Sequence, residues 1–436
     1  MIQDYQQAEK FLADRTAKLG MDFGLERMER VLRKLGNPER SIPCIHIAGS
    51  NGKGSTLTFL KHILVAEGYR VGTFTSPYLE KLNEQIMIDE EMISDNKLVE
   101  LLNYLLPVIN ESEQKGDYLT AFEVTTILAF LHFKNEQPDI LIIETGLGGR
   151  LDSTNVIEPL LEIVTSISLE HTNILGNSLG EIATEKAGII KNGTSVVTGV
   201  KDEEALEPLT KQAEKMNAAL YTLGKEFKIL NRSHPENQEV FTVKWREYLL
   251  ENLHISMLGS HQVENAALAV ISSILLSETY RFSIREESIR KGLASARWKG
   301  RFEIVSNQPL IILDGAHNVS GINSLLSTID DRYPNCDIHI LFAALKDKDY
   351  TKMIQMIEQK AASITFTEIP LERMNEAEEL FKHSRHPHKD VKKDWVEGIN
   401  EILAKMKDRD MLLVTGSLYF LASIRPYIVN EIIRKS

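Results

Sequence analysis

The stretch Ile42-Pro43-Cys44-Ile45-His46-Ile47-Ala48-Gly49-Ser50-Asn51-Gly52-Lys53-Gly54-Ser55 decides the fold. Its first half is a short β pattern and its second half a glycine-rich loop. Leu57, Leu60, Ile63 and Leu64 then recur at helical spacing as far as Gly68. In such a strand–loop–helix unit, glycines let successive backbone N–H groups converge on phosphate oxygens. The helix N-terminus adds partial positive charge. The loop departs from the strict G-x-x-x-x-G-K-[ST] form, because residue 47 is Ile and Gly54 separates Lys53 from Ser55. It keeps a lysine able to reach β- and γ-phosphates and a hydroxyl beside the metal position. A tight turn with an incidental lysine is the bland alternative, and the flanking strand and helix favour phosphate binding. The nearest string to a guanine-reading Asn-Lys-x-Asp element is Asn96-Lys97-Leu98-Val99, which lacks the Asp. ATP and a catalytic role are therefore expected rather than a GTP switch.

The same alternation runs outward in both directions. Two amphipathic helices open the chain, the second near residues 25–35 and stopped by Gly36-Asn37-Pro38. Further strands are expected at residues 70–75, 139–143, 162–167 and 194–197. This predicts an α/β fold with a mostly parallel sheet covered by helices. Residues 221–255 are polar and β-like, and predict an antiparallel excursion. A second, smaller Rossmann-like α/β set has candidate strands at 310–313, 338–342, 363–366 and 411–414. Two domains are expected, 1–296 and 297–436, which suits a 436-residue chain. The basic, His-rich segment 382–389 reads as a solvated loop, because Pro387 and irregular spacing favour no ligand face.

Net charge is −12, the opposite of a duplex-DNA footprint, so no nucleic-acid partner is expected. A local Lys/Arg cluster can still hold an anionic small substrate. Cys44 and Cys336 stand far apart, which excludes a disulfide framework and a four-cysteine zinc site. No apolar run approaches the ~20 residues of a membrane span, and Met1-Ile2-Gln3-Asp4-Tyr5 is no signal core. A cytoplasmic protein without a membrane partner is expected.

Three positions suggest chemistry. Glu144 ends a buried strand, where ligands of open α/β sheets bind, and a carboxylate there suits Mg2+. His171 follows another strand end, with metal and structural readings evenly open. Lys186 shares an apolar helical stripe with Leu179, Ile182 and Ala183, and burial favours a neutral, reactive amine. A snorkelling lysine is its alternative. Glu123 reads as a helix cap or a supporting residue.

In combination, several motifs resemble the folylpolyglutamate synthase/dihydrofolate synthase branch of the Mur ligase superfamily. They are residues 48–55, Phe74-Thr75-Ser76-Pro77-Tyr78-Leu79, residues 144–155, Glu170-His171 and residues 185–189. His261-Gln262 with Asn265-Ala266, Trp298-Lys299-Gly300-Arg301, residues 314–318 and Thr415-Gly416-Ser417-Leu418 continue the series. The resemblance spans about Leu25 to Phe420. It implies Ser76, Glu144 and His171 as Mg2+ ligands and a carbamate on Lys186. It implies that Asn51, Gly52, Lys53, Gly54, Ser55, Asn265, Arg301 and Asp314 hold ATP, and that His317 lies near the phosphates. Arg150, Asp152 and Ser153 would face the substrate. Tyr78 stands where the family usually has His, Gln85 where Arg is common, Glu170 for a frequent Asp and Ser50 for a frequent Thr.

The resemblance further implies a monomer that phosphorylates a substrate carboxylate with ATP and passes the acyl group to the amine of L-glutamate. Folate and dihydropteroate are the implied acceptors, in a cleft between the domains, and residues 149–152 resemble bifunctional members. Ser153 stands where those often have Ala. Two other readings stay open: a Mur-type ligase acting on a cell-wall nucleotide precursor, and a non-catalytic ATP-binding switch.

Overall fold

A computed structural model of the chain describes residues 1–20 and 22–432. They form two compact units. The first takes Met1–His234, Val240–Ile255 and Glu264–Ala296; the second takes Pro235–Glu239, Ser256–Val263 and the residues from Arg297 onward.

The first unit is built on an eight-stranded sheet. Its strands are β1 (Cys44–Ala48), β2 (Val71–Phe74), β3 (Ile86–Ile88), β4 (Glu91–Met92), β5 (Ile140–Glu144), β6 (Leu161–Val164), β7 (Ser195–Thr198) and β8 (Ala219–Thr222). Their order is β4-β3-β2-β5-β1-β6-β7-β8, with β3 and β4 antiparallel at one edge and the others parallel. Every residue of β1, β2, β5, β6 and β7 is buried, as a sheet with both faces covered requires. The register aligns the carboxyl ends of neighbouring strands: Phe74 opposes Ile143, Ile47 opposes Glu144, and Ala48 opposes Val164. Whatever follows β2, β5, β1 and β6 therefore emerges along one sheet edge.

Sequence periodicity carries the strand at 162–167 too far. Pairing with β1 ends at Val164, and from Thr165 the chain bonds to the phosphate loop instead. The antiparallel excursion is a three-stranded sheet of β9 (Phe227–Ser233), β10 (Glu239–Trp245) and β11 (Tyr248–Ile255). It starts later than residue 221, because Tyr221 lies in β8, parallel to β7.

The second unit carries a six-stranded sheet in the order β12-β13-β17-β14-β15-β16. These are β12 (Glu303–Asn307), β13 (Leu310–Asp314), β14 (Asp337–Phe342), β15 (Ala361–Phe366), β16 (Lys389–Val391) and β17 (Asp410–Thr415). Both edge strands, β12 and β16, escape the sequence reading because they are short and only half-buried, so no apolar run marks them. The core packs Ile312, Ile340, Phe342, Phe366, Met411 and Leu413. The His-rich segment passes from the helix Ala377–His383 through a loop into β16. There the ring nitrogens of His386 lie 3.0 Å from the carbonyls of His388 and Ala361. Among the described residues no helix is long and apolar enough to cross a membrane.

Candidate active site

The glycine-rich loop leaves β1 at the centre of the parallel sheet and ends in the helix Lys53–Glu67. Two of its glycines are required by space as well as by backbone angle. A Cβ on Gly49 (φ 152°) would lie 1.9 Å from Thr165 Oγ1, and one on Gly52 (φ 89°) would lie 2.3 Å from Asn265 Oδ1. Asn265, on the helix Ser260–Thr279, thus closes directly against the loop. Lys53, Gly54 and Ser55 form the first helical turn, whose N–H groups have no partner within the helix ladder. The Lys53 ammonium donates to Gly49 O at 2.8 Å and stands 3.9 Å from Glu144 Oε1.

Glu144 is the last residue of β5 and is only 5% exposed. Ser76 follows β2 two residues past its end, and His171 follows β6 with a left-handed backbone (φ 46°). Lys186 lies on the helix Leu179–Ala187 and is 2% exposed, so it does not snorkel. It donates to Glu170 Oε1 at 2.8 Å. Burial pulls the Lys186 amine toward its neutral form, against the pull of Glu170. Burial also opposes the Glu170 carboxylate, but the ammonium groups of Lys186 and Lys53 outweigh it and hold that group at about 2. The Glu170 carboxylate is therefore held in its charged form.

The Gly146–Arg150 loop after β5 is organised from below. Asp152, 4% exposed, accepts from the N–H groups of Leu147 at 2.8 Å and Thr154 at 3.0 Å. The Thr154 hydroxyl donates to Asp152 at 2.5 Å and lies 2.8 Å from His46 Nε2. Burial drives His46 down to about 3, so the ring is neutral. Ser153 is buried beside Asp152, whereas Arg150 is half-exposed and pairs with Glu185 at 2.8 Å. Glu123 is a capping residue: it accepts from Thr120 N at 2.7 Å and pairs with Arg27 at 3.2 Å. Tyr78 is exposed in the loop after β2, and Gln85 is buried.

The second unit carries Arg301, Asp314 and His317. Asp314 ends β13 and accepts from Phe302 N and Ala316 N, each at 2.8 Å. Burial raises its pKa, and the Arg301 guanidinium, which lies against Gly315, opposes that rise. The His317 ring contacts Gly315 O at 2.9 Å through Nδ1. At the end of the adjacent β17, the buried hydroxyls of Thr415 and Ser417 have no hydrogen-bond partner among the described residues, at the N-terminus of the helix Leu418–Tyr427.

Sequence reasoning missed His46, Thr154, Thr165, Ser166 and Ser168. His46, Thr165, Ser166 and Ser168 meet partners more than a hundred positions away in sequence, which no local pattern marks, and Thr154 joins them by bridging Asp152 to His46.

Residues 47–273 match the Mur ligase middle domain, and residues 300–418 match the Mur ligase glutamate ligase domain. The chain is 41% identical to the dihydrofolate synthase/folylpolyglutamate synthase of Bacillus subtilis, across 98% of this chain and 99% of that protein. The chain belongs to the Mur ligase family, in its folylpolyglutamate synthase/dihydrofolate synthase branch. Two solved structures agree with this placement. The Mycobacterium tuberculosis folylpolyglutamate synthase complexed with ADP superposes with a TM-score of 0.91 at 27% identity, covering 98% of each chain. An FPGS–AMPPCP–folate complex superposes with a TM-score of 0.86 at 30% identity, covering 98% of this chain and all of that one. The family placement makes this chain an ATP-dependent ligase.

Proposed function

We propose that the protein adds L-glutamate to folates and also to dihydropteroate, through an acyl phosphate formed at the expense of ATP. The observation that carries this reading is the row of groups at one sheet edge: the phosphate loop, Lys53 beside Glu144, and the buried Lys186–Glu170 pair. Relatives supply the substrate class, through a Bacillus subtilis protein named for both activities and a complex holding AMPPCP with folate. Residues 1–296 would act as the ATP-binding domain and 297–436 as the ligase domain, in a monomer working in the cytoplasm.

The N–H groups of Lys53, Gly54 and Ser55 and the Lys53 ammonium would hold the phosphates, with Asn265 against the loop. Asn51 contributes differently, since its own N–H is taken by Ser166 Oγ at 3.0 Å. Arg301 and Asp314 would hold the remainder of the nucleotide, with His317 near the phosphates. Developing charge on the transferred phosphoryl group would be offset by Lys53 and Arg301, which is positioning plus electrostatics rather than covalent work by the protein. The acyl phosphate is then attacked by the amine of L-glutamate, and phosphate leaves.

The donor set of Ser76, Glu144 and His171 fits Mg2+. It offers a buried carboxylate and a hydroxyl to an oxygen-seeking ion that keeps several waters. When bound, the ion would neutralise phosphate charge. The carbamate fits on different terms. Lys186 reaches it only by leaving its ion pair with Glu170, and Lys53 with the metal would then offset the added anion. In the Gly146–Arg150 region, Arg150 is the residue exposed enough to meet substrate directly. Asp152 and Ser153 would act there through the shape of the loop they support.

The test is ADP and phosphate release in the presence of L-glutamate with dihydropteroate, tetrahydrofolate or a muramyl nucleotide. Turnover with either pterin acceptor is expected. Turnover with the muramyl compound alone would replace this reading with a cell-wall ligase. ATP binding without acceptor-stimulated turnover would leave a switch.

A further inference from the structure

The segment that leaves β6 is fastened to the phosphate loop residue by residue. Ser50 N donates to Ser166 O at 2.8 Å. The Ser166 hydroxyl accepts from Asn51 N at 3.0 Å and donates to Asn51 O at 2.9 Å. Thr165 Oγ1 donates to the same carbonyl at 2.6 Å. Two residues past Ser166, Ser168 N donates to Ser50 Oγ at 3.0 Å, and Ser50 Oγ donates to Ser168 O at 3.2 Å. A single side chain, Ser166, therefore holds both polar ends of residue 51, and two hydroxyls converge on its carbonyl.

This fixes the direction of the chain immediately before Gly52, where the backbone turns left-handed (φ 89°) into the helix. The N–H groups that follow can converge on a phosphate only if residue 51 is held in that orientation. Released, its peptide could rotate and carry those donors off target. A glycine-rich loop has little stiffness of its own, so its preorganisation must come from outside.

We infer that Ser166 is a positioning residue for the nucleotide: its hydroxyl locks the Asn51 backbone so that the Lys53, Gly54 and Ser55 N–H groups are aimed before ATP arrives. This rests on the reading that the loop holds ATP. Because Ser168 leads on to Glu170 and His171, the same strap ties the loop to the segment bearing the Lys186 partner.

The experiment compares Ser166→Ala, Ser166→Thr and Lys53→Ala in the full chain. ATP affinity is read by titration calorimetry, KM for ATP and for folate by steady-state kinetics, and folding by thermal unfolding. Ser166→Ala should raise the ATP Kd and KM about tenfold, the scale of losing the half-buried bonds that Ser166 makes to the Asn51 backbone while Thr165 keeps its own. Folate KM should stay within about twofold. Ser166→Thr, which keeps the hydroxyl, should restore most of the ATP affinity. Wild-type ATP KM in Ser166→Ala would overturn the inference, and so would equal losses in the Ala and Thr variants. If Ser166→Ala does not fold, Ser166→Cys, similar in volume but a poor hydrogen bonder, is read against the same limits. Unchanged ATP affinity in Lys53→Ala would instead sink the phosphate-loop reading itself, and this inference with it.

Discussion

Glu162 sits in the middle of β6, fully buried, opposite His46 of β1. One carboxyl oxygen accepts from Lys191 N at 2.9 Å, and the other has no partner. Burial outweighs this bond and the Lys191 charge, and raises the group from 4.5 to about 8. The same burial pulls the Lys191 amine toward neutrality, and the raised Glu162 stays mostly protonated at neutral pH. Between pH 4.5 and about 8 the unfolded chain has lost this proton and the folded protein keeps it. The contribution of Glu162 to folded stability then falls as pH rises, by about 1.4 kcal/mol per unit and by roughly 5 kcal/mol across the window. Glu162→Gln keeps the shape and the acceptor for Lys191 N but cannot ionise. It should lie within about 1 kcal/mol of wild type near pH 4.5 and be several kcal/mol more stable near pH 8. Urea unfolding of both proteins at the two pH values, followed by circular dichroism in the first unit's transition, gives the double difference. An equal difference at both pH values would refute the reasoning. So would a variant that loses stability at the higher pH, because that result makes Glu162 a carboxylate ion-paired in the folded state.

Lys186→Ala should lose at least about a hundredfold in kcat, and a small carboxylate such as acetate should restore part of it; full activity of the plain variant, measured by ADP release, would count against a functional Lys186. Gly49→Ala forces a methyl onto Thr165 Oγ1, so ATP binding by calorimetry should weaken by more than tenfold (about 1.4 kcal/mol). Arg332→Ala removes the partner of the buried Glu239, a 2.7 Å contact with both side chains nearly inaccessible. Glu239 keeps its bond from Gly259 N, so losing the guanidinium alone should cost about 3 kcal/mol in urea unfolding, and a shift under about 0.5 kcal/mol would show that water reaches the carboxylate.

Much of the fold was legible because parallel strands are buried on both faces. Residues such as Ile140–Ile143 and Met411–Val414 are apolar without interruption, and that pattern is local. Edge strands β12 and β16 were not legible, because half-exposed strands need no apolar run. For the site, the sequence placed Lys53, Glu144 and Lys186 by local signals: a glycine-rich turn, a strand end and a polar intruder on an apolar stripe.

The sequence by itself determined that a glycine-rich loop joins a β-strand to a helix and that a second set of α/β elements lies toward the C-terminus. Backbone propensity and hydrophobic period act over a few residues, and both are written locally. Only the tertiary structure decided which groups meet there. Lys186 finds Glu170 sixteen positions away, Gly52 is closed by Asn265, and the Asn51 backbone is held by Ser166 from the segment that follows β6. The last of these follows from strand order, which brings β1 and β6 together across more than a hundred residues and leaves no trace in local spacing.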